Sequence, residues 1–141
     1  MIRFETDDCA MPSINQVQVA GWITSVAASH GKKAGEISYI FCSDSKILEH
    51  NKQYLEHDFY TDIITFDYSE DSRISGDIFI GFETVASNAA FLGLNVDQEL
   101  LRVIIHGILH LCGFKDKCPE DEAIMHQQED LALSYLYYFV N

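Results

Sequence analysis

The sequence predicts an α+β fold with α/β-like alternation: one small mixed sheet of about four strands packed with about five helices. Three observations carry this. Two runs of β-formers, Asp62-Ile63-Ile64-Thr65-Phe66-Asp67-Tyr68 and Gly76-Asp77-Ile78-Phe79-Ile80, are separated by a short polar connection and can pair as a hairpin. Segments with apolar residues at helical spacing precede and follow that pair. No repeat, low-complexity tract or Pro/Gly-rich linker divides the 141 residues, so residues 1–141 are expected to form one domain able to bury its own core.

Each element has its own local reason. Ile2 to Glu5 alternates apolar and polar, as a short strand does. Pro12-Ser13 opens a helix to about Ser29, with Val17, Ala20, Ile23, Val26 and Ala27 at helical spacing. Gly31 to Gly35 reads as a turn, and Glu36 to Cys42 as a strand rich in β-formers. Ser43-Asp44-Ser45 caps a helix to about Leu55, with Ile47, Leu48 and Tyr54 as its apolar stripe. Asp58 to Thr61 is a loop, and Glu70 to Arg73 connects the hairpin. Glu83 to Leu92 is a helix ended by Gly93. Asn95-Val96-Asp97 starts the next helix, with Asp97 placed to cap it, and the helix runs to Cys112. Pro119 suits the first turn of a last helix reaching about Phe139.

Net charge is −13, which disfavours general nucleic-acid binding and requires a local basic patch for any such partner. Arg102, Lys115 and Lys117 are the basic residues that flank the histidine motif described next. The four cysteines, Cys9, Cys42, Cys112 and Cys118, form no C-x-x-C pair and read as reduced thiols. Cys42 and Cys112 sit in apolar contexts, and Cys118 is near enough to the motif to be a stray ligand. No apolar run reaches the roughly 18 residues of a membrane span. The N-terminus lacks a signal-peptide core, so a cytoplasmic protein is expected.

The chemistry concentrates in His106-Gly107-Ile108-Leu109-His110-Leu111-Cys112-Gly113-Phe114-Lys115-Asp116. The stretch from Arg102 to Cys112 is apolar on nearly every face, so its helix is buried. Unpartnered histidines are costly there. At i and i+4 their Cβ atoms lie roughly 5–6 Å apart on one face, close enough to share a metal ion. Gly113 can stop the helix, and the returning chain can offer Asp116 as a third ligand. Pro119 places the next helix cap near Cys118, so Asp116 lies two residues too early to be that cap. Cys118 and His126 compete with it as third ligand. Two histidines, a carboxylate and an open position suit a catalytic site. The peptidase motif H-E-x-x-H has its general base directly after the first histidine, where this chain has Gly107. Proteolysis is therefore disfavoured. A metal that lowers the pKa of bound water toward roughly 7 remains, suited to attack on a phosphodiester or another electrophile.

His106-Gly107-x-Leu109-His110-Leu111-x-Gly113-Phe114 resembles the signature H-G-x-L-H-L-x-G-Y-D-H of the YbeY endoribonucleases. Asn51-x-x-Tyr54, Thr61-Asp62-Ile63-Ile64-Thr65-Phe66, Gly76-Asp77-Ile78 and Met125-x-x-x-Glu129 resemble further segments of that family, in the same order. The resemblance spans about residues 36–130. It implies a cytoplasmic, zinc-dependent, single-strand-specific endoribonuclease. Such an enzyme matures the 3′ end of small-subunit ribosomal RNA and serves ribosome quality control, with RNA and the ribosome as partners. It also implies a zincin-like metal helix, similar to that of zinc peptidases.

Two positions depart from the family. Its third zinc ligand is a histidine ten positions after the first, where this chain has Asp116. A carboxylate can bind zinc, and the resulting set also approaches that of non-haem Fe(II) enzymes, so iron or another divalent metal is the alternative. An arginine suited to phosphate is replaced by Leu55, and Lys52, His57, Lys115 or Lys117 could stand in for it. The expected site is thus one zinc on His106, His110 and Asp116, with Lys115 as a candidate partner for phosphate. A metal-activated water attacks the phosphodiester, or the metal orients the phosphate for attack by the ribose 2′-OH. Two other classes remain open. One is a ribosome-associated binding protein with a structural metal, and the other is a metal-dependent hydrolase or Fe(II) enzyme for a small molecule. Among single residues, Thr61 and Asp62 either line the cleft or make a turn, and Asp77 belongs to the hairpin or a helix contact. Glu129 either bonds a ligand histidine or faces solvent. Tyr135, Tyr137 and Tyr138 read as packing.

Overall fold

The chain runs β1 (Ile2–Thr6), α1 (Gln16–Ser29), β2 (Lys33–Cys42), α2 (Asp44–Tyr54), β3 (Ile63–Asp67), β4 (Arg73–Gly81), α3 (Phe82–Leu92), α4 (Val96–Leu111) and α5 (Pro119–Val140). This computed structural model describes residues 1–54 and 61–140, with side chains described for 1–51 and 61–136. The expected hairpin forms: β3 pairs antiparallel with β4, Thr65 opposite Ile78. β2 lies parallel on the other side of β4, and β1 parallel to β2, giving one mixed sheet in the order β1-β2-β4-β3. The result is the α+β fold that the sequence predicts.

Strand alternation sends successive side chains to opposite faces. Ile37, Tyr39 and Phe41 of β2, with Ile78 and Ile80 of β4, face the main core and meet apolar side chains of α1, α4 and α5. Cys42, Ile64, Phe66 and Phe79 face the other way, against Ile47 of α2. Two buried aromatic groups fasten the helices that carry the site. The Tyr39 hydroxyl donates to the Ile104 carbonyl of α4 at 2.7 Å. The Trp22 indole N–H donates to the Ala132 carbonyl of α5 at 2.7 Å. Truncating a side chain such as Trp22, which is fully buried, costs about 3–5 kcal/mol.

Several boundaries differ from expectation, each for a local reason. α1 begins at Gln16 rather than Ser13, because the Asn15 side chain accepts from the Gln18 N–H and caps it. β2 starts at Lys33, where a turn was expected, and a bulge between Ala34 and Ile37 absorbs the change of register. Asn95, not Asp97, caps α4. Its side chain accepts from the Gln98 backbone N–H at 2.8 Å, while the Gln98 side-chain Oε1 accepts from the Asn95 backbone N–H at 3.2 Å. α4 ends at Leu111, with Cys112 as its C-cap. Gly113 follows at φ +107°; its N–H reaches the His110 carbonyl, and the Phe114 N–H reaches that of Leu109. This is a Schellman reversal, and it turns the chain back toward α4.

Candidate active site

The Schellman reversal has a direct consequence for the site. It brings Asp116 back over α4, so that Asp116 Oδ2 lies 3.1 Å from His106 Nε2. The other ring nitrogen, Nδ1, lies 2.7 Å from Glu129 Oε2 on α5. Glu129 is 2% exposed, and a buried carboxylate must be compensated. Arg102 Nη1 donates to its Oε1 at 3.0 Å, and His126 Nδ1 lies 3.3 Å from the same oxygen. Arg102 Nη2 donates to Asp130 at 2.8 Å.

The charges are mutually adjusted. Burial alone would raise the Glu129 carboxyl, but hydrogen bonds from His106 and Arg102 outweigh it and hold its pKa below the usual glutamate value. Burial alone would lower the His106 imidazole, but the bond to Glu129 and the charges of Glu129, Asp116 and Asp62 outweigh it and raise its pKa. Asp62 is pushed up by burial, against the pull of His106.

These residues line a cleft of ≈ 730 Å³ between the start of β3, the outer face of α4 and the first turns of α5. His110, one turn beyond His106, lines it too, and its buried Nδ1 has no hydrogen-bond partner among the described residues. The donor chemistry fits a divalent ion. Glu129 can only accept, so Nδ1 of His106 carries a proton. In the neutral ring, Nε2 then presents a lone pair to the Asp116 oxygen, an opposition that a second ring proton or a shared metal cation relieves. Their 3.1 Å separation is close to the about 3.3 Å expected between two atoms bound tetrahedrally to one zinc. As they stand, no three His, Cys, Asp or Glu side chains among the described residues form a group tight enough to hold an ion. His106 and Asp116 touch, and His110 shares their wall.

The remaining sequence candidates separate clearly. Thr61 and Asp62 line the cleft, and Glu129 makes the histidine bond. Lys115 is exposed and lies outside the cleft lining; Lys117 lines the cleft instead. His126 lines it with Nδ1 toward Glu129, whereas Cys118 does not line it. Asp77 pairs within the hairpin opposite Phe66, and Tyr135 packs against the core. Leu55 and His57, and the side chains of Lys52, Tyr137 and Tyr138, lie outside the described residues. Sequence reasoning missed Glu99 and the role of Arg102. The signal was present, since Glu99, Arg102, His106 and His110 continue one helical stripe at spacings of three and four.

Comparison with known proteins identifies the family. A profile of the family described as endoribonuclease YbeY matches residues 2–137. The endoribonuclease YbeY of Phocaeicola vulgatus is 57% identical over 136 residues, covering 96% of this chain and 99% of the relative. That of Bacteroides thetaiotaomicron is 55% identical over 133 residues, covering 94% of this chain and 97% of the relative. The solution structure of a Thermotoga maritima protein is similar with a TM-score of 0.67 at 25% identity, covering 97% of this chain and 89% of that one. By profile, identity and fold together, the chain belongs to the YbeY endoribonuclease family.

Proposed function

We propose that this chain is a cytoplasmic, zinc-dependent endoribonuclease that cleaves single-stranded RNA, with the small-subunit ribosomal RNA 3′ end as its substrate and the ribosome as its partner. The single observation that supports this best is the facing pair His106 Nε2 and Asp116 Oδ2, 3.1 Å apart in an open cleft. His106, His110 and Asp116 are the residues that would hold the ion. When bound, a divalent ion supplies a Lewis acid for the phosphodiester and a water of lowered pKa.

The chain's own residues do the rest. Glu129 takes the Nδ1 hydrogen bond and so leaves Nε2 of His106 directed at the cleft. Arg102 holds the other oxygen of Glu129, which keeps that carboxylate ionised and in place. Lys117, on the cleft lining, supplies a mobile point charge for a phosphate. Gly107 packs against Ile78 and Ile63 and has no side chain, so the helix carries no peptidase base directly after His106.

The test is cleavage of a labelled single-stranded RNA beside its duplex. Cleavage of the single strand alone, abolished by a chelator and restored by zinc, is expected. No cleavage with any divalent ion would overturn the reading.

A further inference from the structure

The cleft is an unfavourable place for a polyanion. Among the described residues, Asp62, Glu99, Asp116, Glu122 and Glu129 line it against only Arg102 and Lys117 as fixed cations. The chain as a whole carries −13, so its field does not draw RNA in. Arg102 offers little relief, because both terminal nitrogens are already engaged by Glu129 and Asp130.

The carboxylates are not equivalent. Asp116 faces His106, and Glu129 joins His106 to Arg102. Glu99 is different. It is 6% exposed and lines the cleft, yet its Oε2 is buried without a hydrogen-bond partner among the described residues. A buried carboxylate in that state is costly unless a proton or a cation joins it. Asp62 lines the same cleft within the electrostatic reach of Glu99. Burial raises the pKa of both groups, against the pull of Arg102 on Glu99 and of His106 on Asp62. Two oxygen donors without nitrogen or sulfur suit a hard cation. Mg²⁺ in particular is held by one or two carboxylates, keeps several waters, and completes its shell with substrate phosphate.

We propose that Glu99 and Asp62 hold a hydrated Mg²⁺ ion whose open positions take water and a non-bridging phosphate oxygen of the RNA. The RNA and the ion then enter the acidic cleft together, each improving the other's binding. This ion is separate from the one on His106, His110 and Asp116, and the inference rests on the single-stranded RNA reading given above.

The experiment uses zinc-loaded protein, Mn²⁺ as a paramagnetic substitute for Mg²⁺, and a 2′-O-methyl single-stranded RNA that cannot be cut through its own hydroxyl. Mn²⁺ affinity is read by electron paramagnetic resonance and RNA affinity by fluorescence anisotropy. Mn²⁺ is expected to tighten RNA binding by at least about tenfold, and RNA to tighten Mn²⁺ binding by the same factor. Glu99→Gln and Asp62→Asn are each expected to remove this coupling while zinc content and a single cooperative unfolding transition, no lower than that of the wild type, are retained. RNA binding that is independent of Mn²⁺ in the wild type, or coupling that survives in Glu99→Gln, would overturn the inference and leave the RNA reading standing. Zinc-loaded protein that binds no single-stranded RNA with or without Mn²⁺ would overturn both.

Discussion

Glu129 Oε2 lies 2.7 Å from His106 Nδ1, and this one contact joins α5 to the histidine helix and orients the ring. It converts a buried imidazole into a directed donor, with Nε2 left for the cleft. The same carboxylate takes Arg102, so orientation of the ring and compensation of the buried charge are one structure.

Glu129→Gln keeps the shape but removes the charge that serves both partners. Zinc affinity is expected to fall about 10- to 100-fold, measured by competition with a chromophoric chelator. The fold should persist, because the amide oxygen can still accept one bond. Unchanged affinity would show that the contact does not position the histidine.

Gly107 faces the sheet. A Cβ there would stand 3.0 Å from Ile78 Cδ1 and 3.2 Å from Ile63 Cδ1. Gly107→Glu recreates the letters of the peptidase motif but drives a carboxylate between two isoleucines. It is expected to destabilise the fold by upward of about 3 kcal/mol and to yield no peptidase activity. Thermal unfolding and a casein assay check both.

The sequence made the hairpin, the five helices and the histidine face legible because each rests on local periodicity. Ile63 to Asp67 and Arg73 to Gly81 carry β-formers on both sides of a polar turn, and their pairing followed. The order β1-β2-β4-β3 was not legible, because it is decided by how α1 and α2 cross the sheet rather than by any one segment. At the site, His106 and Asp116 were legible from spacing and from the Gly113 stop, and the structure puts them in contact. The Glu129 to Arg102 bond was not, since it joins residues 27 apart on two helices. Lys115 was favoured for its nearness in sequence, yet the side chain that lines the cleft belongs to Lys117, two residues later.

Glu99 gives a pH signature. Burial, ahead of the neighbouring charges, raises its pKa above the ordinary 4.5. The sign follows from linkage: a raised folded-state value favours the protein below the ordinary pKa, and that contribution is lost as pH rises through the folded value. Glu99→Gln should therefore be more stable than the wild type near pH 7.5 by about 1–3 kcal/mol, with the gap closing near pH 4.5. Melting curves of both proteins in metal-free buffer check this; a gap independent of pH would contradict it.

Burial pushes the Cys42 thiol up to about 12 and the Cys112 thiol up to about 11. The thiolate is the reactive form, so alkylation at pH 8 should be at least about 100-fold slower at both sites than in the urea-unfolded chain. Peptide mass spectrometry after a timed iodoacetamide pulse reads this out. Rapid labelling of Cys42 in the folded protein would contradict its place under α2.

The central claim is that His106, His110 and Asp116 together hold one ion. The most direct measurement is metal content per chain, by inductively coupled plasma mass spectrometry, for the wild type and for His106→Ala, His110→Ala and Asp116→Ala purified alike and shown to be folded. One zinc in the wild type and a marked loss in each variant is the expected result. Full zinc content in Asp116→Ala would contradict the claim and remove the carboxylate from the ligand set.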